Sequence, residues 1–95
     1  MAHGFLVHCK EDDVGVAVRD LAAGETVEGV FMDSGEGVTL AVISVVPLGH
    51  KVALRDMAEG HECREYNEVI GRVTAATRQG EHVHVHNIRS ARWSR

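Results

Sequence analysis

Proline occurs once, cysteine twice, and aromatic residues fill only 4% of the 95 positions. Cys9 and Cys63 stand far apart with no CxxC pair, which excludes a disulfide framework and a zinc ribbon. Reduced thiols in a cytoplasm are therefore expected. Cations are also scarce: 10 Lys and Arg face 14 Asp and Glu, for a formal net charge of −4. That balance argues against bulk electrostatic binding to nucleic acid or to an anionic membrane, both of which need clustered positive charge. No stretch is long and apolar enough to span a bilayer. The opening MAHGFLVHCKEDD has no basic segment followed by an apolar run, so no targeting leader is expected. At this length a single domain over 1–95 is expected, with a small core.

Glycine, by contrast, is plentiful, with 10 residues, and it marks a repeat. VAVRDLAAGETV at 16–27 and VALRDMAEGHEC at 52–63 align without a gap on the pattern V-A-x-R-D-x-A-x-G, and VTAATRQGEHV at 73–83 echoes it. Such self-similarity implies one supersecondary unit used more than once. Gly24, Gly60 and Gly80 fall at equivalent turns, where a positive φ favours glycine. Each copy reads as an apolar segment, a tight turn and a strand starting after the glycine. GVTLAVISVVPLG at 37–49 reads as a well-buried β-branched strand closed by Pro47 and Gly49. The one helix the pattern permits is a turn or two within 12–22, capped by Asp12 or Asp13. DSGEG at 33–37 is a loop tip; Leu40 stands where a phosphate-cradling fingerprint needs its third glycine. The fold class predicted is mostly β, of short strands and glycine turns.

GEHVHVHNIRS at 80–90 carries the most chemistry. Read as a strand leaving the Gly80 turn, it projects His82, His84 and His86 from one face, and Val83, Val85 and Asn87 from the other, toward the core. Imidazoles in a row suit a cleft, a subunit interface or a divalent metal, and equally a plain solvent face. His50, from the PLGHK turn, is placed to converge on them, whereas His82, nearest Gly80, is expected to lie farthest out. A zinc site from His8, Cys9, His61 and Cys63 lacks any regular finger spacing.

Three ordered blocks extend the reading. PLGHKVALRDMAEG, then YNEVIGR, then GEHVHVHNIRS resemble the small domain of the altronate and galactarate dehydratase family, and the likeness runs from FLVH to ARW. The resemblance implies an SAF-type domain of the β-clip kind. It also implies a lyase that removes water or bisulfite from a hydroxy acid with the help of a divalent cation, Fe2+ in that family, largely supplied with the large subunit. Within the family this chain leans toward the small (alpha) subunit of sulfolactate sulfo-lyase, in which the module is a separate chain beside a large catalytic subunit. Tyr66-Asn67 replaces the family's Tyr-Gly, and Asn tolerates positive φ well enough for the turn to survive.

On this reading the chain is inactive alone and lends a histidine-lined edge to a composite site. The catalytic candidates are His84, His86 and His50, with His84 and His86 as metal ligands and Asn87, Ser90 and Lys51 binding substrate. The partners expected are the large lyase subunit and a small hydroxy acid, with no nucleic acid and no membrane. The tail at about 89–95, with Arg89, Arg92 and Arg95 around Trp93, is expected to anchor the large subunit. Two rivals remain. One is a stand-alone SAF-type module that binds a carbohydrate or sugar acid without turnover, marked by ligand binding with no large partner. The other is a metal-storage or interaction protein, marked by metal uptake without effect on any lyase.

Overall fold

Glycine turns at short intervals leave room only for short strands, and the computed structural model, which describes residues 3–90, shows nine strands and no helix among the described residues. They are β1 Phe5–Val7, β2 Val14–Ala17, β3 Thr26–Phe31, β4 Gly37–Ala41, β5 Lys51–Ala53, β6 Glu62–Glu65, β7 Glu68–Val73, β8 His82–Val83 and β9 Ile88–Ser90. A six-stranded sheet runs β4-β3-β1-β2-β5-β8, and a three-stranded sheet runs β6-β7-β9. All pairs are antiparallel except β1 with β3. The mostly β class read from the sequence is the class observed.

The repeat has a structural meaning beyond the alignment. Gly24, Gly49, Gly60 and Gly80 all take φ between 85 and 91° at the third position of a tight turn. Each turn is closed by an N–H to C=O bond, from Glu25 to Ala22, His50 to Pro47, His61 to Ala58 and Glu81 to Arg78. That geometry is the type II turn, which favours glycine at this position. The turns interlock in two pairs. In the first, Leu21 bridges Val46, Gly24 N–H donates to Val42 and Gly49 N–H to Ala17; in the second, Met57 bridges Thr77, Gly60 N–H donates to Val73 and Gly80 N–H to Ala53. Asp20 accepts the Leu48 N–H in the first pair and Asp56 the Gln79 N–H in the second, both at 2.8 Å. The Asp of the R-D signature is therefore the latch onto the facing turn. The copy at 46–50 was not part of the repeat read from the sequence.

Each pair has its own core. Phe5, Val7, Leu21, Leu40, Val42 and Val46 pack in the first; Val14, Ala53, Met57, Cys63, Val73 and Val83 pack in the second. At Gly29 any Cβ would run into the Phe5 ring, so that strand residue has to be glycine for β3 to approach β1.

Three expectations are corrected. The helix drawn within 12–22 is β2 instead, because Val14, Val16 and Val18 alternate with small or bulky neighbours in a β-branched pattern that favours the extended chain. Asp12 and Asp13 are buried, and they latch hairpins rather than cap a helix: Asp12 accepts the Cys9 and Tyr66 N–H groups, while Asp13 accepts the Arg64 N–H, meets His61 at 3.0 Å and faces Arg55. The run at 37–49 is not one buried strand. β4 ends at Ala41, after which Val42 and Val46 turn inward while Ile43 and Val45 stay exposed. The β6–β7 turn does survive its Tyr-Asn sequence, with φ of 54° at Tyr66 and 63° at Asn67. Arg89 and Ser90, placed in the tail by the sequence, belong to β9; Arg92, Trp93 and Arg95 lie outside the described residues.

Candidate functional site: an imidazole cluster at the edge of the large sheet

The histidine run starts as a strand and then turns. β8 holds only His82 and Val83, paired with Val52 and Lys51 of β5. Beyond it, Asn87 Oδ1 accepts the His84 N–H at 2.9 Å, and the Asn87 and Ile88 N–H groups both return to the His84 carbonyl at 3.0 Å. The side chain of an asparagine three residues on thus competes with the ladder and wins. As a consequence Val83 is buried as expected, but Val85 is 75% exposed and does not face the core.

This turn folds His84 back over the strand. The His84 ring stacks on His50 with centroids 4.2 Å apart, and His50 stacks on His82 at 5.0 Å. His50 Nδ1 lies 2.8 Å from His82 Nε2, a ring-to-ring hydrogen bond whose donor depends on the tautomer. Each of His50, His82 and His84 offers a ligand nitrogen, and these atoms all lie within 4.8 Å of one another. An imidazole-bound ion holds nitrogen at about 2.0–2.1 Å, which puts neighbouring donors roughly 3 Å apart. The donor set therefore fits a divalent transition ion after small side-chain adjustments, and imidazole suits zinc, iron, copper or nickel. Burial first, and then the neighbouring imidazoles, lower the pKa of His82 and of His84, which favours the neutral form that binds metal.

The sequence reading named His50 and His84 correctly as neighbours but placed His82 farthest out. In the structure His82 is partly buried at the centre of the cluster, because it occupies the strand next to His50. His86 is exposed, stands outside the group of three, and touches His82 with ring centroids 5.1 Å apart. Asn87 is 2% exposed, and its amide donates to Thr77 Oγ1 and to the His82 carbonyl, so it holds the loop in place. Lys51 and Ser90 come together with His84 along an open cleft of about 760 Å³ between the two sheets. Sequence reasoning missed Glu65 on that cleft wall, whose carboxylate lies 3.8 Å from Lys51 Nζ and 3.9 Å from His8 Nε2. No cluster forms from His8, Cys9, His61 and Cys63 among the described residues; Cys9 and Cys63 are free thiols, and His61 is engaged by Asp13.

A module of short strands and interlocked glycine turns, presenting imidazoles from a turn and a strand edge beside an open cleft, fits the class of SAF-type β domains. Comparison with known proteins places it more narrowly. The family model of the altronate/galactarate dehydratase SAF domain matches residues 3–91, and the chain belongs to that family. Over 94 residues it is 44% identical to the (2R)-sulfolactate sulfo-lyase subunit alpha of Chromohalobacter salexigens, covering 98% of this chain and all of that protein. It is 33% identical over 86 residues to the altronate dehydratase of Bacillus subtilis, covering 90% of this chain but 16% of that enzyme. A shorter match, 42% over 48 residues, joins it to a subunit of the same sulfo-lyase name in Paracoccus pantotrophus, of which it covers 72%.

Proposed function

We propose that this chain is the small subunit of a metal-dependent lyase, and that it brings His50, His82 and His84 to an active site completed by a large catalytic subunit. The observation that carries the reading is the convergence of those three ligand nitrogens within 4.8 Å on an open edge. The full-length likeness to a sulfo-lyase alpha subunit supports a substrate of the sulfolactate type. The likeness to altronate dehydratase supports the same chemistry on sugar acids. A reducing cytoplasm is the setting in which Cys9 and Cys63 stay free.

Removing bisulfite or water from such a hydroxy acid takes a proton from carbon beside a carboxylate and assists the departing group. A divalent ion bound there, which we take to be Fe2+, would supply positive charge beside the substrate carboxylate and polarise the leaving group. His50, His82 and His84 are the residues that would hold it. His86, exposed beside His82, is placed to move a proton at its imidazole. Lys51, held by Glu65, is the cation that orients the substrate carboxylate, and Ser90 on the opposite cleft wall offers a hydroxyl to a substrate oxygen.

The test is lyase turnover by the reconstituted two-chain complex under anaerobic conditions with ferrous iron, on sulfolactate and on altronate or galactarate. The complex is expected to turn over one of these, this chain alone none, and the His84→Ala complex roughly a hundredfold less. Activity of the isolated chain, or an unaffected His84→Ala complex, would overturn the reading.

A further inference from the structure

Four large apolar side chains stand exposed on the segments that carry or flank the imidazole cluster. Ile43 is 46% exposed, Val45 62%, Leu48 61% and Val85 75%. Their placement follows from the fold. Ile43 and Val45 follow β4 at the point where the Ile43 N–H donates to Gly80 and Ser44 Oγ accepts the His82 N–H, so they line a hollow shared with His82 and His86. Leu48 is the second residue of the turn that delivers His50, and Val85 sits in the turn between His84 and His86. Of the other exposed large apolar residues, Met32 lies at the tip of the β3–β4 hairpin, at the opposite end from Ile43.

We infer that Ile43, Val45, Leu48 and Val85 form the surface on which the large lyase subunit docks, sealing the imidazole cluster beneath it. The inference rests on the two-subunit reading above and adds where the second chain sits. Three observations favour that occupant. The cluster offers three imidazole nitrogens and no carboxylate among the described residues, so the remaining ligands and the rest of the acid–base set have to come from a second chain. In altronate dehydratases the matching module is 15 to 16% of the enzyme, so relatives of this module are continuous with a much larger body. A permanent interface takes about 1,000 Å² or more from each partner, a substantial share of the 5763 Å² this chain exposes, and an apolar patch at its centre supplies the desolvated anchor.

A photo-cross-linking residue placed at Val45 or at Leu48 of the full chain, and at Met32 as a comparison, tests this in the cells that make the protein. Met32 suits because it follows β3 at the opposite end of the β3–β4 hairpin from Ile43. Positions 45 and 48 are expected to capture one chain whose peptides match the part of altronate dehydratase beyond this module, and position 32 is expected to capture none. The double variant V45E/L48E should copurify with that chain at least tenfold less, while its zinc uptake in the isolated state stays at the wild-type level. Capture of the large chain from position 32 alone, or of a second copy of this chain from 45 and 48, overturns the docking face and leaves the lyase reading standing. Capture of no large chain at any position overturns both.

Discussion

His50 Nδ1 and His82 Nε2 lie 2.8 Å apart although 32 positions separate them. The two rings meet because one leaves the Pro47–His50 turn and the other leaves the Arg78–Glu81 turn, and β5 pairs directly with β8. At that separation the two nitrogens already stand about as far apart as neighbouring ligands on one ion.

Alanine at His50, His82 or His84 should each lower the affinity of the isolated chain for zinc or ferrous ion by about a hundredfold, the upper scale seen when a metal site loses a supporting group. His86→Ala should leave affinity nearly unchanged yet slow the assembled enzyme. Calorimetric titration of the four variants, alongside turnover, separates ligand from proton-transfer roles. Equal loss of affinity in all four would place His86 among the ligands.

Replacing Asn87 by leucine removes three hydrogen bonds at once, to Thr77, to the His82 carbonyl and from the His84 N–H. Stranding buried partners costs about 1–3 kcal/mol, so the urea midpoint should fall by a readily measured amount and metal affinity should fall with it. A stable variant that loses only substrate binding would return Asn87 to the ligand role expected from the sequence.

Cys63 gives a pH dependence of definite sign. Burial, reinforced by Asp13 and Glu65, pushes its thiol from 9.0 up to about 12 in the fold. The folded state thus holds its proton where the unfolded chain gives it up, so this contribution is complete below pH 9 and is lost as pH rises toward 12. Urea titrations between pH 8 and about 10.5 should show declining stability, with a shallower decline in Cys63→Ala. Thiol reagent should reach Cys63 only after denaturation; rapid labelling of the native chain would contradict its burial.

The turns were legible because glycine spacing is a local signal: Gly24, Gly60 and Gly80 all take the positive φ that the repeat demanded. Strand content followed from the same spacing. The histidine loop was misread where a side chain overrode periodicity, since nothing in the alternation of HVHVH announces that Asn87 will staple His84 into a turn. The Asn itself, three residues after His84, was the available signal. Asp12 and Asp13 looked like helix caps because a cap and a hairpin latch use the same carboxylate; only the tertiary partners Arg64 and Tyr66 tell them apart. Glu65 was invisible for the same reason, its meeting with Lys51 being made by two sheets rather than by spacing.

The two interlocked turn pairs also set the order in which the site comes into being. His50 leaves the first pair, whereas His82 and His84 follow the second, so the cluster exists only once the two halves have docked through β5 and β8. An ion held there binds the docked state and not the separated halves, and its binding energy adds to their association. An ion held there would in this sense act as a rivet between two structural copies, tightening a junction that β2, β5 and β8 already make through their backbones.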